Sequence, residues 1–281
     1  TNVASGSTIS YLISGVSASD VDGGTLSGNA TIGVDGKAVI AVVLLNDATT
    51  DGADTLTVTA GGASASSTIA DTSQTPAVTA QTFNLTVGVD QGTAFTGDTA
   101  GDSFVAADSG ANTTWTTNDI IDGAGGSDTF LVSRAAAITV PTGAEVKNIE
   151  SVTFVSGAAV TANTTAWTGA TSVSSTGVGA ATLTAAATTD VTASTSTAAA
   201  TALSVNGGKD ITTTSTGATT GTVTVGATTA PVGAVSVTYT SAMAEASNAT
   251  TQTSGAIAVT GGTTPTVTSN QTVGISDNAS D

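Results

Sequence analysis

Hydrophobic and polar residues alternate in short runs along most of this chain. The segments STISYLIS, GTLSGNATIG, AVIAVVLL, DTLTVTA and SASSTIA fall within the first 73 residues, with Gly, Asn and Asp between them. Alternation with a period of two, interrupted by turn residues, is typical of β-strands with one buried face. Several such strands in succession predict an antiparallel β-sandwich over residues 1–73.

The pattern changes from about Ile149 onward. Short runs such as SVTFVSG, TSVSS, ATLTAAA, ALSVNGG, GTVTVG and AVSVTYT follow one another, with Gly, Asn or small residues between them. A β-solenoid suits this pattern, because each coil is short and stacking buries a core that one coil could not make alone. We therefore predict a β-solenoid over residues 136–281. The alternative is a low-complexity Thr/Ala/Ser stalk without a packed core.

Two further regions lie between these arrays. Residues 74–80 are polar and include Pro76, which cannot donate to a strand ladder, so they are predicted to be a linker. Residues 81–135 are rich in Asp and Gly and contain 7 of the 21 acidic residues of the chain. The sequence as a whole predicts an all-β protein: a β-sandwich, a linker, an Asp/Gly-rich region and a solenoid.

Composition narrows the chemistry of this 281-residue chain. It contains no Cys and no His, which excludes disulfides, thiol and imidazole chemistry and the usual zinc sites. Only 4 Lys and Arg residues oppose the acids, so the net charge is −17. Nucleic acids and anionic membranes are poor partners for such a surface, whereas divalent cations are good ones. No apolar run approaches the length of a membrane span, and we predict no membrane insertion.

Aspartate and glycine cluster in two loops of the Asp/Gly-rich region. GDTAGDSF (Gly97–Phe104) and GAGGSDTF (Gly123–Phe130) each match part of the calcium-binding nonapeptide GGxGxDxU. Calcium takes six to eight oxygen ligands; aspartates supply charge, and glycines let backbone carbonyls turn toward the ion. The sequence therefore predicts a Ca2+ site with the candidate ligands Asp98, Asp102, Asp119, Asp122, Gly123, Gly126 and Asp128. The alternative is that these Asp-Gly pairs only form turns.

Weaker candidates lie elsewhere. DATTDGAD (Asp47–Asp54) is a second calcium candidate, and SASDVDGG, with Asp20, Asp22 and Gly23, is better explained as a hairpin turn. For a polysaccharide-cleaving enzyme, Arg134 and Lys147 would be the bases, and the rings would be Trp115 and Trp167. With so few charged residues we predict no catalysis, and we expect both tryptophans to be anchors in a core or an interface.

Two family resemblances extend this interpretation. GVSASDVDGGTLSG, NDATTDGADTLTV and SSTIADTS resemble the Calx-β-like and immunoglobulin-like repeats of large secreted bacterial proteins. This copy lacks the first strand of such a repeat, which implies either a cut or a strand donated by another molecule. The sequence opens at TNVASG without a methionine, and we expect it to be part of a longer chain.

The second resemblance covers about residues 82–190. TFNLTVGVD, AGDSFVA, DIIDGAGGSDTFLV, VKNIESVTFVSG and TTAWTG, in this order, resemble the RTX-like bacterial S-layer proteins exported by type I secretion. The resemblance implies an extracellular subunit of a surface lattice or filament. Its partners would be copies of itself, calcium held by Asp102, Asp122 and Asp128, and cell-surface polysaccharide. The rival interpretation is the stalk of a secreted adhesin or biofilm-matrix protein, which would remain monomeric.

Overall fold

The computed structural model describes residues 3–46, 48–50, 52–108, 112–196, 201–217, 220–243 and 255–273. The described chain is all-β, as predicted. Its internal contacts divide it into two compact units, Thr1–Ala77 and Val78–Asp281. The division falls within residues 74–80, the segment predicted to be a linker.

The first unit contains one antiparallel sheet in the order β2-β1-β3-β4. Its strands are β1 (Thr8–Ser14), β2 (Ser27–Thr31), β3 (Asp54–Ala60) and β4 (Ala63–Ile69). Two 3-10 turns, Ala18–Asp20 and Asp22–Gly24, lie between β1 and β2. The predicted strand AVIAVVLL, residues 38–45, forms only an isolated bridge from Leu44 to Val21. The described residues of this unit form no second sheet, so the predicted β-sandwich is not confirmed.

The second unit is a parallel β-solenoid of about seven turns, which confirms the solenoid prediction. Its nine-stranded sheet consists of β5 (Thr82–Asn84), β6 (Ser103–Ala107), β8 (Thr129–Arg134), β11 (Ser151–Ser156), β13 (Ser172–Gly177), β15 (Asp190–Ser196), β17 (Ile211–Thr216), β19 (Val235–Met243) and β21 (Pro265–Val273). Its six-stranded sheet consists of β9 (Ile138–Thr139), β12 (Val160–Asn163), β14 (Ala181–Ala185), β16 (Ala202–Gly207), β18 (Thr222–Val225) and β20 (Ile257–Val259). A short third sheet pairs β7 (Ile120–Asp122) with β10 (Glu145–Lys147), and a 3-10 turn spans Gly92–Phe95.

Stacking in register fills the solenoid core with rows of similar side chains. Along the nine-stranded sheet, one inward row consists of Phe83, Phe104, Phe130, Val152, Val173, Val191, Ile211 and Val235. Each residue pairs with its equivalent in the next coil, about 4.8 Å away. The Asp/Gly-rich region and the Thr/Ala/Val-rich region therefore share one sheet.

The aromatic side chains of the core cluster in the early coils. Trp115 lies there, with its ring centroid 5.5 Å from that of Phe130 and 6.0 Å from that of Trp167. The later coils bury mainly aliphatic and small side chains, such as Leu203 and Thr213, together with the ring of Tyr239. Within the described residues, no helix is long and apolar enough to cross a membrane.

Candidate functional site

The two Asp/Gly loops lie at one corner of the solenoid, directly above one another. The N–H of Gly97 donates to the Asp122 carbonyl at 2.8 Å, and the N–H of Gly125 donates to the Asp98 carbonyl at 2.8 Å. The loops end at Phe104 and Phe130, which are strand partners. The repeats that the sequence pattern aligns are thus equivalent positions in successive coils. We call Asp98, Asp102, Asp122, Asp128 and Glu150 the acidic corner.

Three members of the acidic corner form a carboxylate ladder: Asp102, Asp128 and Glu150. Each residue immediately precedes a strand of the nine-stranded sheet, and each carboxylate accepts an N–H from the preceding coil. The donors are Gln81 to Asp102 at 2.7 Å, Asp102 to Asp128 at 2.6 Å, and Asp128 to Glu150 at 2.7 Å. These carboxylates therefore satisfy backbone donors at the point where the coil leaves the corner.

Asp98 and Asp122 close the turns of the two loops. The Asp98 carboxylate accepts the N–H of Ala100 at 2.7 Å, and that of Asp122 accepts the N–H of Ala124 at 2.9 Å. Both are Asx turns, in which an aspartate side chain bonds the backbone two residues further on. Amide side chains of adjacent coils add one bond to each carboxylate: Gln81 to Asp98 and Asn148 to Asp122, both at 2.8 Å.

Asp119 lies apart from the acidic corner, at the opposite end of β7 from Asp122. Its carboxylate accepts the backbone N–H of Asp90 at 2.9 Å and that of Thr116 at 2.5 Å. Asp90 is also buried, and it accepts the N–H of Thr86 at 2.6 Å. Asp119 and Asp90 thus repeat the capping arrangement at a second corner of the coil.

The predicted glycine ligands, Gly123 and Gly126, allow the coils to stack closely. Gly126 has φ of 118°, and a Cβ there would overlap the carbonyl oxygen of Ala100 in the coil before it. A Cβ on Gly123 would overlap both the Asn148 carbonyl oxygen and Oδ2 of Asp128. The Asn148 carbonyl oxygen and Oδ2 of Asp128 therefore both lie next to the Cα of Gly123.

Asp128 has the least favourable environment of the ladder. It is 1% exposed, and its Oδ2 is buried without a hydrogen-bond partner among the described residues. Burial raises the pKa of Asp128, and the charges of Glu150, Asp102 and Asp98 raise it further, against the lowering effect of the Asp102 N–H. By contrast, the N–H of Ala234 and the ammonium of Lys209 lower the pKa of Asp210 further along the solenoid.

The acidic corner meets only part of what calcium requires. Within the described residues, no group of three or more acidic, histidine or cysteine side chains is placed to hold a metal ion. Both oxygens of Asp102 already accept backbone N–H groups, from Gln81 and Asp98. Among the described residues, the oxygens of this region that accept no hydrogen bond are Oδ2 of Asp128, Oδ2 of Asp122, Oε1 of Glu150 and the Asn148 carbonyl, whereas calcium takes six to eight oxygens. The other predicted carboxylates, those of Asp98, Asp102, Asp119 and Asp122, accept backbone N–H groups, which favours the alternative that they stabilise turns.

Of the weaker candidates, Asp47 and Asp51 lie outside the described residues. Asp20 accepts the N–H of Ser17 at 2.8 Å, which is the main cause of its lowered pKa, so it too closes a turn. This segment connects the antiparallel pair β1 and β2, as predicted for a hairpin turn, and it does so through two 3-10 turns.

The four residues considered for an enzyme are either buried in the core or paired with an acidic side chain. Trp115 is 4% exposed and Trp167 is 9% exposed, so both rings belong to the core and neither offers a face to a sugar. Arg134 forms an ion pair with Asp108 at 3.0 Å, and Lys147 forms one with Glu145 at 2.6 Å.

Sequence reasoning missed two residues of these corners, Glu150 and Asp90. The available signal for Glu150 was its position: it precedes the strand SVTF as Asp128 precedes TFLV. Asp90 follows a strand and a turn, and no comparable pattern marks it.

The fold and the acidic corner define the chain's class: a parallel β-solenoid whose corners are capped by buried carboxylates. No protein-family model and no curated protein matches the chain. Its function must therefore be argued from this geometry.

Proposed function

We propose that this chain is a structural subunit of an extracellular surface, which assembles with copies of itself into a lattice or filament. The observation that carries the proposal is the carboxylate ladder. The buried carboxylates, which in an enzyme would be candidates for acid–base chemistry, accept backbone N–H groups of their own coils. Their hydrogen bonds therefore serve the coil stack.

The distribution of charge supports self-assembly. The described residues from Ile211 to Met243 and from Gly255 to Val273 include no Asp, Glu, Lys or Arg. Charged side chains, lysine above all, are the usual protection of a β-edge against pairing with another chain. Coils without that protection favour association between subunits.

The N-terminal unit fits this proposal as an incomplete repeat of the immunoglobulin-like or Calx-β-like kind. It has one complete sheet, and residues 38–45 would be the single described strand of the opposite layer. The described residues of this unit therefore supply only part of a two-layer sandwich.

We also propose that calcium sets the stability of the acidic corner. Support comes from the unpaired Oδ2 of Asp128 and from the concentration of carboxylates around it. Asp128 would hold the ion, which would add positive charge to a cluster that has Lys147 near it only at Asp122, its strand partner. A site with so few open donors would be weak, in the range of extracellular modules, roughly 10⁻⁴–10⁻³ M.

The test is electron microscopy and sedimentation of the purified chain, in millimolar calcium and after chelation. Ordered sheets or filaments in calcium support the structural subunit. Extended monomers at every concentration overturn it and favour the adhesin stalk. Assemblies that persist unchanged after chelation, with an unchanged melting temperature, refute the calcium proposal and leave the structural subunit intact.

A further inference from the structure

Asn206 and Gly207 form the one Asn-Gly pair in the sequence. In such a pair the backbone nitrogen of the glycine can attack the side-chain amide carbon of the asparagine. A five-membered succinimide ring forms, and the amide nitrogen leaves as ammonia, which takes the former N–H hydrogen. Water then opens the ring to either aspartate or isoaspartate. Glycine favours this reaction because no side chain hinders its nitrogen, so this pair is the most labile asparagine site of the chain.

Both residues lie where β16 (Ala202–Gly207) ends, and the fold fixes the identity of each. Asn206 is 7% exposed, and its Oδ1 accepts the N–H of Thr228 from the next coil at 2.9 Å. Gly207 has φ of 67°, and an added Cβ would overlap the carbonyl oxygen of Ala185, its strand partner in β14. Any other residue would be strained at this position. The stack of coils thus accounts for a labile pair at this corner.

The closed corner holds the reacting groups in an unreactive arrangement. The N–H of Gly207, whose nitrogen is the attacking atom, donates to the Thr229 carbonyl at 2.7 Å. The side-chain carbonyl that this nitrogen would attack is held by the Thr228 N–H. Ring closure also requires the main chain to rotate between Asn206 and Gly207, and the pairing of both residues with β14 prevents this rotation. The attack therefore requires the corner to open.

Residues 227–230 cover this corner, and we call them the lid. All four are exposed, none is charged, and they form no strand. The lid supplies both hydrogen bonds that hold the reactive pair, through the Thr228 N–H and the Thr229 carbonyl. Exposed turns with few buried contacts open at a lower free energy than strands of the core. Because Gly207 ends β16, opening of the lid and fraying of this strand end free the nitrogen and the amide together.

We propose that Asn206 and Gly207 form a self-modification site, at which opening of the lid lets Gly207 attack Asn206 with loss of ammonia. This inference goes beyond the proposed function and does not depend on it. Isoaspartate adds one atom to the main chain. While β16 keeps its register, the lengthened chain no longer presents the Gly207 N–H to the Thr229 carbonyl. The modified lid therefore stays open, and the site records past openings of the coil.

The test compares the full-length chain with a synthetic peptide of residues 203–210 in the same mildly alkaline buffer. Peptide mapping by mass spectrometry measures the conversion of Asn206, and chromatographic separation of the isomeric peptides identifies isoaspartate. Two hydrogen bonds of ordinary net strength imply that the folded chain reacts at least roughly 30-fold more slowly than the peptide. Equal rates in the chain and the peptide would show that the closed lid gives no protection, which overturns the proposal.

Two variants distinguish opening of the lid from unfolding of the whole solenoid. Gly226 precedes the lid with φ of 78°, and an added Cβ would overlap the Thr260 carbonyl oxygen. Gly226→Ala should therefore speed the reaction at least roughly fivefold, because strain at the start of the lid favours the open state. Gly126→Ala places similar strain in a distant coil and should leave the rate unchanged. Equal acceleration by both variants would refute the local opening.

A measurement on the unchanged chain keeps the test independent of whether either variant folds. Local opening exposes little surface, so the rate at Asn206 should depend only weakly on urea below the unfolding transition. A urea dependence as steep as that of global unfolding would contradict the role of the lid.

Hydrogen exchange tests the effect of the modification on the lid. In the incubated chain, exchange of the lid amides should rise with the fraction of isoaspartate. Asn206→Asp is the matched control, because it has the charge of the product on a normal main chain and its carboxylate can still accept the Thr228 N–H. Its lid amides should exchange as in the unchanged chain. A converted chain with unchanged exchange would show that the lid closes again, which overturns the statement that the site records openings.

Discussion

Replacing Asp128 with asparagine should stabilise this protein at neutral pH. The amide keeps an oxygen to accept the Asp102 N–H, which donates to Asp128 at 2.6 Å. Its NH2 group would take the place of the unpaired Oδ2, on the side of Gly123 where an added Cβ would also meet the Asn148 carbonyl oxygen. The substitution thus removes a buried charge and offers an N–H donor to that carbonyl.

The expected gain follows from the penalty that is removed. A buried polar atom without a partner costs about 1–3 kcal/mol, and an ionised group costs more. A gain of about 2 kcal/mol in the free energy of unfolding would raise the melting temperature by about 4–8 °C for a unit of this size. Both tryptophans, Trp115 and Trp167, lie in the solenoid, so tryptophan fluorescence reports its unfolding alone.

The matched control is Asp102→Asn. Both oxygens of Asp102 accept backbone N–H groups, at 2.7 Å and 2.9 Å. An amide would set its own N–H against one of these donors, so this variant should lose about 1–3 kcal/mol. Both measurements are made in chelator. In calcium, a smaller gain for Asp128→Asn would show that the ion binds this carboxylate.

The pH dependence gives a second readout. Because the pKa of Asp128 is raised on folding, the folded chain holds this proton more tightly than the unfolded chain. The stability from this group is complete below the ordinary aspartate pKa and is lost as the pH rises through the raised value. The decline attributable to Asp128 should be missing in Asp128→Asn. A destabilised Asp128→Asn whose pH profile matches that of the unchanged chain would refute the reasoning.

Three further predictions use the same fluorescence assay on the solenoid. Gly126→Ala should lower the free energy of unfolding by at least about 2 kcal/mol, because φ of Gly126 is positive and an added Cβ would overlap the backbone of Ala100. An added Cβ on Gly125 would lie 3.7 Å from its nearest neighbour, so Gly125→Ala should change the free energy by no more than about 0.5 kcal/mol. Trp115→Ala should cost about 3–5 kcal/mol, and a cost below 1 would contradict its place in the aromatic cluster. Ser175→Ala removes a buried hydroxyl without a described partner and should leave stability unchanged or raise it. Ser156→Ala breaks two hydrogen bonds of 3.0 Å and should cost about 1 kcal/mol; equal effects of the two changes would contradict the difference in hydrogen bonding between these hydroxyls.

The alternation of hydrophobic and polar residues predicted the solenoid, because every coil has the same alternation. Alternation places Val152, Val173 and Val191 on the inward face, and the in-register pairing of these strands makes one row of them. Coil boundaries followed from Gly, Asn and small residues at the corners. The start of the solenoid was harder to predict. In the early coils, strands such as β5 and β7 have only three residues, and the acidic loops beside them are the stronger sequence signal.

The acidic corner was predicted in part. The pattern found the aligned loops, and the structure places Asp102 and Asp128 at the same point of successive coils. The sequence pattern could not show which atoms the carboxylates face. Aspartates that bind a cation and aspartates that accept a backbone N–H occur at the same spacing. It also placed Asp119 with this group, although β7 separates Asp119 from Asp122.

The length of the carboxylate ladder is set by opposing terms of similar size. A hydrogen bond to a charged group is worth about 1.5–3 kcal/mol, whereas two carboxylates about 5 Å apart repel by about 3 kcal/mol at an effective dielectric constant of 20. In an unbroken run of carboxylates, this repulsion therefore offsets most of what each further cap contributes. The ladder ends at Glu150. Carboxylate caps occur again at Asp190 and Asp210, which accept the N–H groups of Asp210 at 3.2 Å and of Ala234 at 2.7 Å, and there the Lys209 ammonium lies 3.5 Å and 3.3 Å from the two carboxylates. Asp128 is the middle member: burial raises its pKa most, and the carboxylates on each side, those of Glu150 and Asp102, raise it further.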